Sequence, residues 1–320
     1  MASRPRIVFW GTPDFAVPSL EACLTVGEVV GVVTQPDKPK GRGRELTSPP
    51  VKVVAQTRGL FVLQPSKLKS PPFAPTLAAL APDVCVVTAY GKILPREVLE
   101  VPPLGCVNVH ASLLPRFRGA APIQWAIAAG DTQTGVCLMK MDEGMDTGPL
   151  LACEKTPILP SDTAESLHDR LATLGYGLIV RELPRYFRGE LSPTPQPSQG
   201  VVMAPMLEKE DGRLDFSRPA VELERRLRAF APWPGTFTTY EGELLKVKAA
   251  QVGKASGAPG TVLSAGAFGI EVACGQGSLL LTQLQPEGKR AMSAAEFLAG
   301  RTLHPGDRPF DTLAEPNTQG

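Results

Sequence analysis

Two kinds of hydrophobic pattern alternate along the first half of the chain. RIVFW (6–10), VVGVVTQ (29–35), FVLQP (61–65), DVCVVTA (83–89), GCVNVH (105–110) and TGVCLMKM (134–141) are short, nearly continuous apolar runs. Runs of that kind form strands buried on both faces. Helical stretches stand between them: 16–24, VKVVAQTRG (51–59) with Gly59 as its stop, PTLAALAP (75–82) and AAPIQWAIAAG (120–130). The alternation predicts an α/β unit with a Rossmann-like, mostly parallel sheet between helices, and ligands beyond the carboxyl ends of its strands. LLACEKTPIL (150–159) adds strand character, and 162–189 reads as a long amphipathic helix with Asp162 as N-cap.

The pattern then changes. ELSPTPQPSQG (190–200) holds three prolines and almost nothing to bury, which predicts a linker. A helix over 216–230 follows. Beyond it, short strands (TFTTYEG, ELLKVKAAQVG, GTVLSAG, GIEVACG, SLLLTQLQP) are separated by glycine-containing turns, and SAAEFLAG closes the series as a helix. Closely spaced short strands predict a small β-barrel. The expected boundaries are 1–189 for the first domain, 190–207 for the linker and 208–320 for the barrel.

Composition adds little against this picture. The chain has 320 residues, enough for two domains, and a net charge of +1, so a polyanion site has to be local. Cysteines 23, 85, 106, 137, 153 and 274 include no CxxC pair, and several lie inside apolar runs. They read as small buried hydrophobes in a reducing compartment, not as a disulfide framework or a zinc site. The N-terminal apolar run is too short for a signal peptide, and no run approaches the ~18 residues of a spanning helix. A cytoplasmic location is expected.

The chemistry concentrates in NVHASLLPRFRG, 108–119. Residues two apart in a strand share a face, so Asn108 and His110 point the same way at the end of theirs. Strand 105–110, helix 120–130 and strand 134–141 read as a right-handed βαβ crossover with parallel strands. Their carboxyl ends would then share one edge, where Asp142, Glu143 and Asp146 of DEGMDTGP could meet His110. An asparagine can donate to an oxyanion, a histidine can move protons near neutral pH, and a carboxylate can orient the imidazole. There is no GxSxG elbow, and no cysteine lies beside a histidine. The trio suits attack by an amine or water on an activated carbonyl. A structural histidine, an asparagine that ends a strand and an Asx-turn aspartate fit the same spacing, which does not choose between the readings.

Longer motifs do choose. NVHASLLPRFRGAAPIQWAI and GVCLMKMDEGMDTGP closely resemble the methionyl-tRNA formyltransferase family. So do FWGTPDFAVPSLEACL, VVTQPDKPKGRGRELTSPPVKVVA, VVTAYGKILP, RAFAPWPGTF and EGKRAMSAAEFLAGR, which together span essentially the whole chain. The resemblance implies the formyltransferase fold followed by an OB-like C-terminal domain. It also implies transfer of a formyl group from 10-formyltetrahydrofolate to the α-amino group of methionyl initiator tRNA. Asn108, His110 and Asp146 match the family's catalytic trio. Ser112, Leu113, Leu114 and Pro115 match its folate-binding motif, with Tyr90, Gly91, Leu94 and Asp142 expected around the pterin. No metal is implied, and a monomer is expected.

For tRNA, the resemblance points to the loop DKPKGRGRE, with Lys38, Lys40, Arg42 and Arg44, and most of all to Arg42. Lys246 and Lys248 alternate on one strand of the second domain, which carries thirteen basic against fourteen acidic residues over 208–320 and is no basic body. Met206 stands where family members often have lysine. Two other enzyme readings compete: hydrolysis of the formyl donor, and a dehydrogenase, which the lack of GxGxxG disfavours. A tRNA-binding module with a degenerate site is disfavoured by the intact trio.

Overall fold

In a computed structural model that describes residues 4–40, 45–69 and 72–310, the chain divides into two units. The first unit comprises residues 1–123, 132–159 and 166–205. Its elements in chain order are β1 (Arg6–Gly11), α1 (Val17–Val26), β2 (Glu28–Val33), β3 (Lys38–Lys40), β4 (Glu45–Thr47), α2 (Pro50–Thr57), β5 (Val62–Leu63), α3 (Ala74–Ala78), β6 (Val84–Thr88), α4 (Arg96–Leu99), β7 (Cys106–His110) and β8 (Arg118–Gly119). Next in the chain is α5 (Pro122–Ala129), most of which falls in the second unit, and then β9 (Gln133–Lys140), β10 (Leu150–Pro157), α6 (Ala164–Phe187) and β11 (Met203–Ala204).

The main sheet runs β10-β9-β7-β6-β1-β2-β5. Its continuous apolar runs are buried on both faces: every residue of β6 and β7 is buried. Val8, Trp10, Val33, Cys85 and Val87 pack on one face with Leu77 of α3 and Val98 of α4. Gly175 of α6 lies in contact range of Val109, Val136 and Ser19 on the other.

The sheet departs from expectation in one respect that matters for the site. The five strands from β7 to β5 are parallel, but β9 runs antiparallel to β7, with Val107 opposite Lys140 and His110 opposite Cys137. β10 is antiparallel to β9 in turn. Strand 105–110, helix and strand 134–141 are therefore not a parallel crossover. An apolar run has no direction written in it, and α5, only eight residues long, spans about 12 Å against the ~17 Å or more of a typical strand.

Antiparallel pairing also sets Cys137 opposite Cys153, and the two form a disulfide with Cα atoms 4.1 Å apart. This corrects the expectation of thiols throughout. Cys23, Cys85, Cys106 and Cys274 are buried free cysteines.

The proline-rich segment is no free tether. Thr194 and Leu150 exchange both backbone hydrogen bonds at 2.8 Å, and β11 pairs in parallel with β8. Residues 190–205 thus belong to the first unit as a strap across it.

The second unit comprises 206–320 together with 124–131 and 160–165. Helix α7 (Ala220–Phe230) precedes β12 (Thr236–Tyr240), β13 (Glu243–Gly253), β14 (Val262–Gly266), β15 (Gly269–Ala273), β16 (Ser278–Pro286), β17 (Met292–Ser293) and α8 (Ala294–Leu298). The strands form an antiparallel sheet ordered β12-β13-β16-β15-β14, with β17 on β16. Leu223, Leu245, Val247, Ile270, Leu281 and Phe297 share its core. Trp125 packs edge-on against Phe230, ring centroids 5.7 Å apart.

Candidate active site

Period two along β7 turns Val109 toward α6, so Asn108 and His110 face the other way. Directly opposite residues of an antiparallel pair share a face, which adds Met139 beside Asn108 and Cys137 beside His110. Leu114 packs on Cys137 and Met139, with Leu113, Met141 and Leu150 around them. The loop after β7 thus folds over the face that carries the polar pair.

Asp146 reaches this face by a different route from the one the sequence suggests. β9 ends at the opposite edge, where Met141 N–H donates to Cys106 O. The loop then returns over the sheet before Leu150 pairs back on Met139. Its course depends on Gly148, where a Cβ would lie 1.8 Å from Lys140 O. Asp142 closes the turn by accepting from Gly144 N–H at 3.0 Å and Thr147 Oγ1 at 2.6 Å.

At its tip Asp146 adopts φ +53°, a left-handed conformation that aspartate tolerates better than most residues. Its Oδ1 accepts from Asn108 Nδ2 at 3.2 Å, and its Oδ2 accepts from Gly119 N–H at 2.9 Å. His110 Nδ1 lies 3.6 Å from Oδ2.

His110 Nε2 is 2.9 Å from Phe117 O. A carbonyl only accepts, so Nε2 carries a proton, and Nδ1 faces the carboxylate. Asn108 and His110 are buried, at 9% and 6% exposure, and the Asp146 side chain is 16% exposed. The arrangement can donate from Asn108 to a developing oxyanion and exchange a proton at His110 Nδ1, with the resulting charge balanced by Asp146.

The strap supplies residues that the sequence did not single out. Gln196 Nε2 donates to Asp146 O at 2.8 Å and Gly148 O at 2.7 Å, and lies 3.4 Å from Met139 Sδ. Gln196 Oε1 accepts from Arg118 Nη2 at 2.6 Å and Nε at 3.1 Å. Arg118 therefore anchors the strap. Arg116 lies over the Phe117 ring, 4.9 Å from its centroid. Gly119, whose N–H holds Asp146, has φ +124°, and a Cβ there would fall 2.5 Å from Ala204 O of the strap. Only the glutamine's setting among prolines hides it: nothing in PTPQPSQG marks one polar side chain as turned inward.

The other expected residues divide. Ser112 is fully buried and its hydroxyl donates to Arg116 O at 2.6 Å, closing the turn around Pro115. Leu94 and Tyr90 are core side chains, 2% exposed, and the Tyr90 ring stands edge-on to Trp10. Burial pushes the Tyr90 phenol up to about 12. The Tyr90 carbonyl accepts from Thr12 and Gln35, which fixes the start of the exposed Gly91–Ile93 loop.

Among the candidate tRNA contacts, Arg42 and Arg44 lie outside the described residues, as does the side chain of Lys40. Lys38 is exposed on the β3–β4 hairpin. The base of that hairpin is tied by Asp37, which accepts from Lys52 at 2.7 Å and Gln64 at 2.8 Å. The Lys52 hydrogen bond, then that of Gln64, holds the Asp37 carboxyl below the usual range. Lys246 and Lys248 are exposed on one face of β13, alternating with buried Leu245 and Val247. No helix among the described residues is long and apolar enough to cross a membrane.

Comparison with known proteins fits this architecture. Residues 5–183 match the model of the formyl transferase family, and 206–302 match that of the formyl transferase C-terminal domain. A methionyl-tRNA formyltransferase of Myxococcus xanthus is 67% identical over 96% of this chain and 99% of its own length. One from Citrifermentans bemidjiense is 51% identical over 94% and 95%. Two solved structures share the fold at low identity. HypX from Aquifex aeolicus, in complex with tetrahydrofolic acid, has a TM-score of 0.60 at 19% identity, over 92% of this chain and 47% of its own. An N-formyltransferase from Helicobacter canadensis has a TM-score of 0.65 at 16% identity, over 88% and 99%. The matches run through both units of the chain, which belongs to the methionyl-tRNA formyltransferase family.

Proposed function

We propose that this protein transfers the formyl group of 10-formyltetrahydrofolate to the α-amino group of methionine carried by initiator tRNA, with Asn108, His110 and Asp146 as the catalytic residues. The observation that carries this reading is their convergence on one sheet face from β7 and the loop after β9, at 3.2 and 3.6 Å.

The free amine attacks the formyl carbon, and the carbonyl oxygen becomes the oxyanion of a tetrahedral intermediate. The second N–H of Asn108 Nδ2 donates to it. The amine proton passes through His110 Nδ1, which lies beside the Asp146 carboxylate. Collapse breaks the bond from carbon to N10 of the folate, and N10 takes the proton. Ser112, Leu113, Leu114, Pro115 and the Tyr90–Leu94 and Met141–Asp146 loops hold the folate. Ser112, Tyr90, Leu94 and Asp142 contribute by shaping these loops, since their side chains are already engaged. The protein acts as a cytoplasmic monomer, its first unit performing chemistry and the antiparallel unit holding tRNA. Solved relatives of the fold support the folate site: two were seen with tetrahydrofolic acid and folinic acid.

A formylation assay that offers charged initiator tRNA, charged elongator tRNA and water as acceptors tests this. Formyl-methionyl initiator tRNA is the expected product. Release of formate at the same rate without tRNA would replace the reading with hydrolysis.

A further inference from the structure

Each nitrogen of the His110 ring faces a residue with left-handed backbone. Asp146, beside Nδ1, has φ +53°, and Phe117, whose carbonyl lies 2.9 Å from Nε2, has φ +58°. Among the described residues five non-glycines have positive φ, and two of the five meet at this one imidazole. Aspartate tolerates that conformation. Phenylalanine does so poorly, because its Cβ crowds a neighbouring carbonyl oxygen, and it stays there only where its surroundings hold it.

The surroundings of Phe117 do hold it. Val202 of the strap ties the chain on both sides: its N–H donates to Pro115 O at 3.4 Å, and its carbonyl accepts from Arg118 N–H at 2.9 Å. Arg116 and Phe117 are thus a two-residue excursion between two anchors. Within it, Arg116 O accepts from the Ser112 hydroxyl at 2.6 Å, and Arg116 N–H donates to Leu113 O at 3.1 Å. Phe117 itself is 3% exposed. Two residues on, Gly119 N–H holds Asp146 Oδ2. One short segment, registered by the strap, therefore gives main-chain partners to both the histidine and the aspartate. A right-handed φ at Phe117 would turn its carbonyl by about 120° around the N–Cα bond, away from Nε2.

We propose that Phe117 is a positioning residue for formyl transfer. Its left-handed backbone aims the carbonyl at His110 Nε2, which keeps the proton of the neutral ring on that nitrogen and leaves Nδ1 to take the amine proton. The proposal rests on the role given to His110 above. What matters at position 117 is then the backbone conformation and not the ring. Leucine and isoleucine separate the two, since they have the same atoms, but branching at Cβ makes isoleucine the poorer fit to positive φ. Asparagine is polar, and fits positive φ better than either.

The experiment measures kcat and both KM values for full-length Phe117→Leu, Phe117→Ile and Phe117→Asn. It also records the imidazole nitrogen NMR spectrum of each at a pH where imidazoles are neutral and the two tautomers give separate signals. The chain has three histidines, and the signals of His110 are those that vanish in His110→Gln. Phe117→Leu and Phe117→Asn should keep kcat within about threefold of wild type. Phe117→Ile should lower it about tenfold, the scale of one lost hydrogen bond to a group that gains charge, with both KM values within about twofold. Its His110 spectrum should move from the Nε2–H tautomer toward a mixture. The opposite order, with Phe117→Asn slowest and Phe117→Leu and Phe117→Ile alike, would make the ring the cause and overturn the proposal. So would an unchanged His110 spectrum in Phe117→Ile. If Phe117→Ile does not fold, a tenfold loss in Phe117→Asn overturns the proposal by itself. Absence of formylation by the wild type is a separate failure, that of the functional reading, and the spectra still decide whether Phe117 sets the tautomer.

Discussion

Gln196→Ala separates the strap's role from that of a passive connector. The side chain donates two hydrogen bonds, at 2.8 Å to Asp146 O and 2.7 Å to Gly148 O. Each contributes about 1 kcal/mol net in a partly buried setting, so truncation weakens the docked loop by about 2 kcal/mol. The left-handed backbone at Asp146 adds to its tendency to relax once released. If loop and trio are docked only in the competent state, about 2 kcal/mol corresponds to roughly a 30-fold lower kcat. The bonds from Gly119 and Asn108 to the Asp146 carboxylate survive and bound the loss. Single-turnover formylation at saturating folate and tRNA should therefore slow by about 10- to 30-fold, with both KM values within about twofold. Circular dichroism should show the protein fully folded at the assay temperature. Gln196→Glu is the sharper control. It keeps an acceptor for Arg118 but has no N–H for the two carbonyls, so it should be as slow as alanine. Wild-type kcat in Gln196→Glu, or a Gln196→Ala rate within twofold of wild type, would refute the argument.

The remaining predictions concern the trio, the basic hairpin and the disulfide. His110→Ala and Asp146→Ala should each lower formylation by at least ~100-fold, the lower scale of acid–base and oxyanion contributions, as read by steady-state kcat/KM. Arg42→Ala should raise the KM for tRNA and flatten its salt dependence while leaving folate KM unchanged, measured between low and high salt. Lys52→Met should let the Asp37 carboxyl rise toward its ordinary value, visible in a carboxyl-carbon NMR titration. Because Asp37 is depressed in the folded protein, its tie to Lys52 is intact above the unfolded aspartate value and lost as pH falls through the lower folded one. Cys153→Ser opens a cross-link between residues 16 apart, worth about 3 kcal/mol if chain entropy dominates. Its Tm should fall under oxidising conditions and, unlike that of the wild type, not respond to dithiothreitol.

What the chain discloses and what it hides follow the reach of each interaction. Continuous apolar runs such as VCVVT and CVNVH identify buried strands because burial on both faces leaves no room for alternation. The i, i+2 rule likewise puts Asn108 and His110 on one face before any tertiary contact is known. Strand direction carries no such local mark. β9 is buried from Thr134 to Met139 like the parallel strands, and nothing in its residues marks the reversal. The expectation that Asp146 meets His110 therefore holds geometrically for a reason other than the one the sequence suggested. The pair meets because a loop bends back over the face, not because two carboxyl ends share an edge. The same reversal aligns Cys137 with Cys153, so spacing alone could not reveal the disulfide. The strap is the opposite case. Its prolines exclude helix and central strand, but low hydrophobicity does not mean absence of structure. Residues 194–204 are instead held by backbone pairing and by one glutamine whose partners are main-chain carbonyls. Hydrogen bonds of that kind leave no periodic trace in sequence. The residue that fixes the Asp146 loop is therefore the one composition made least visible.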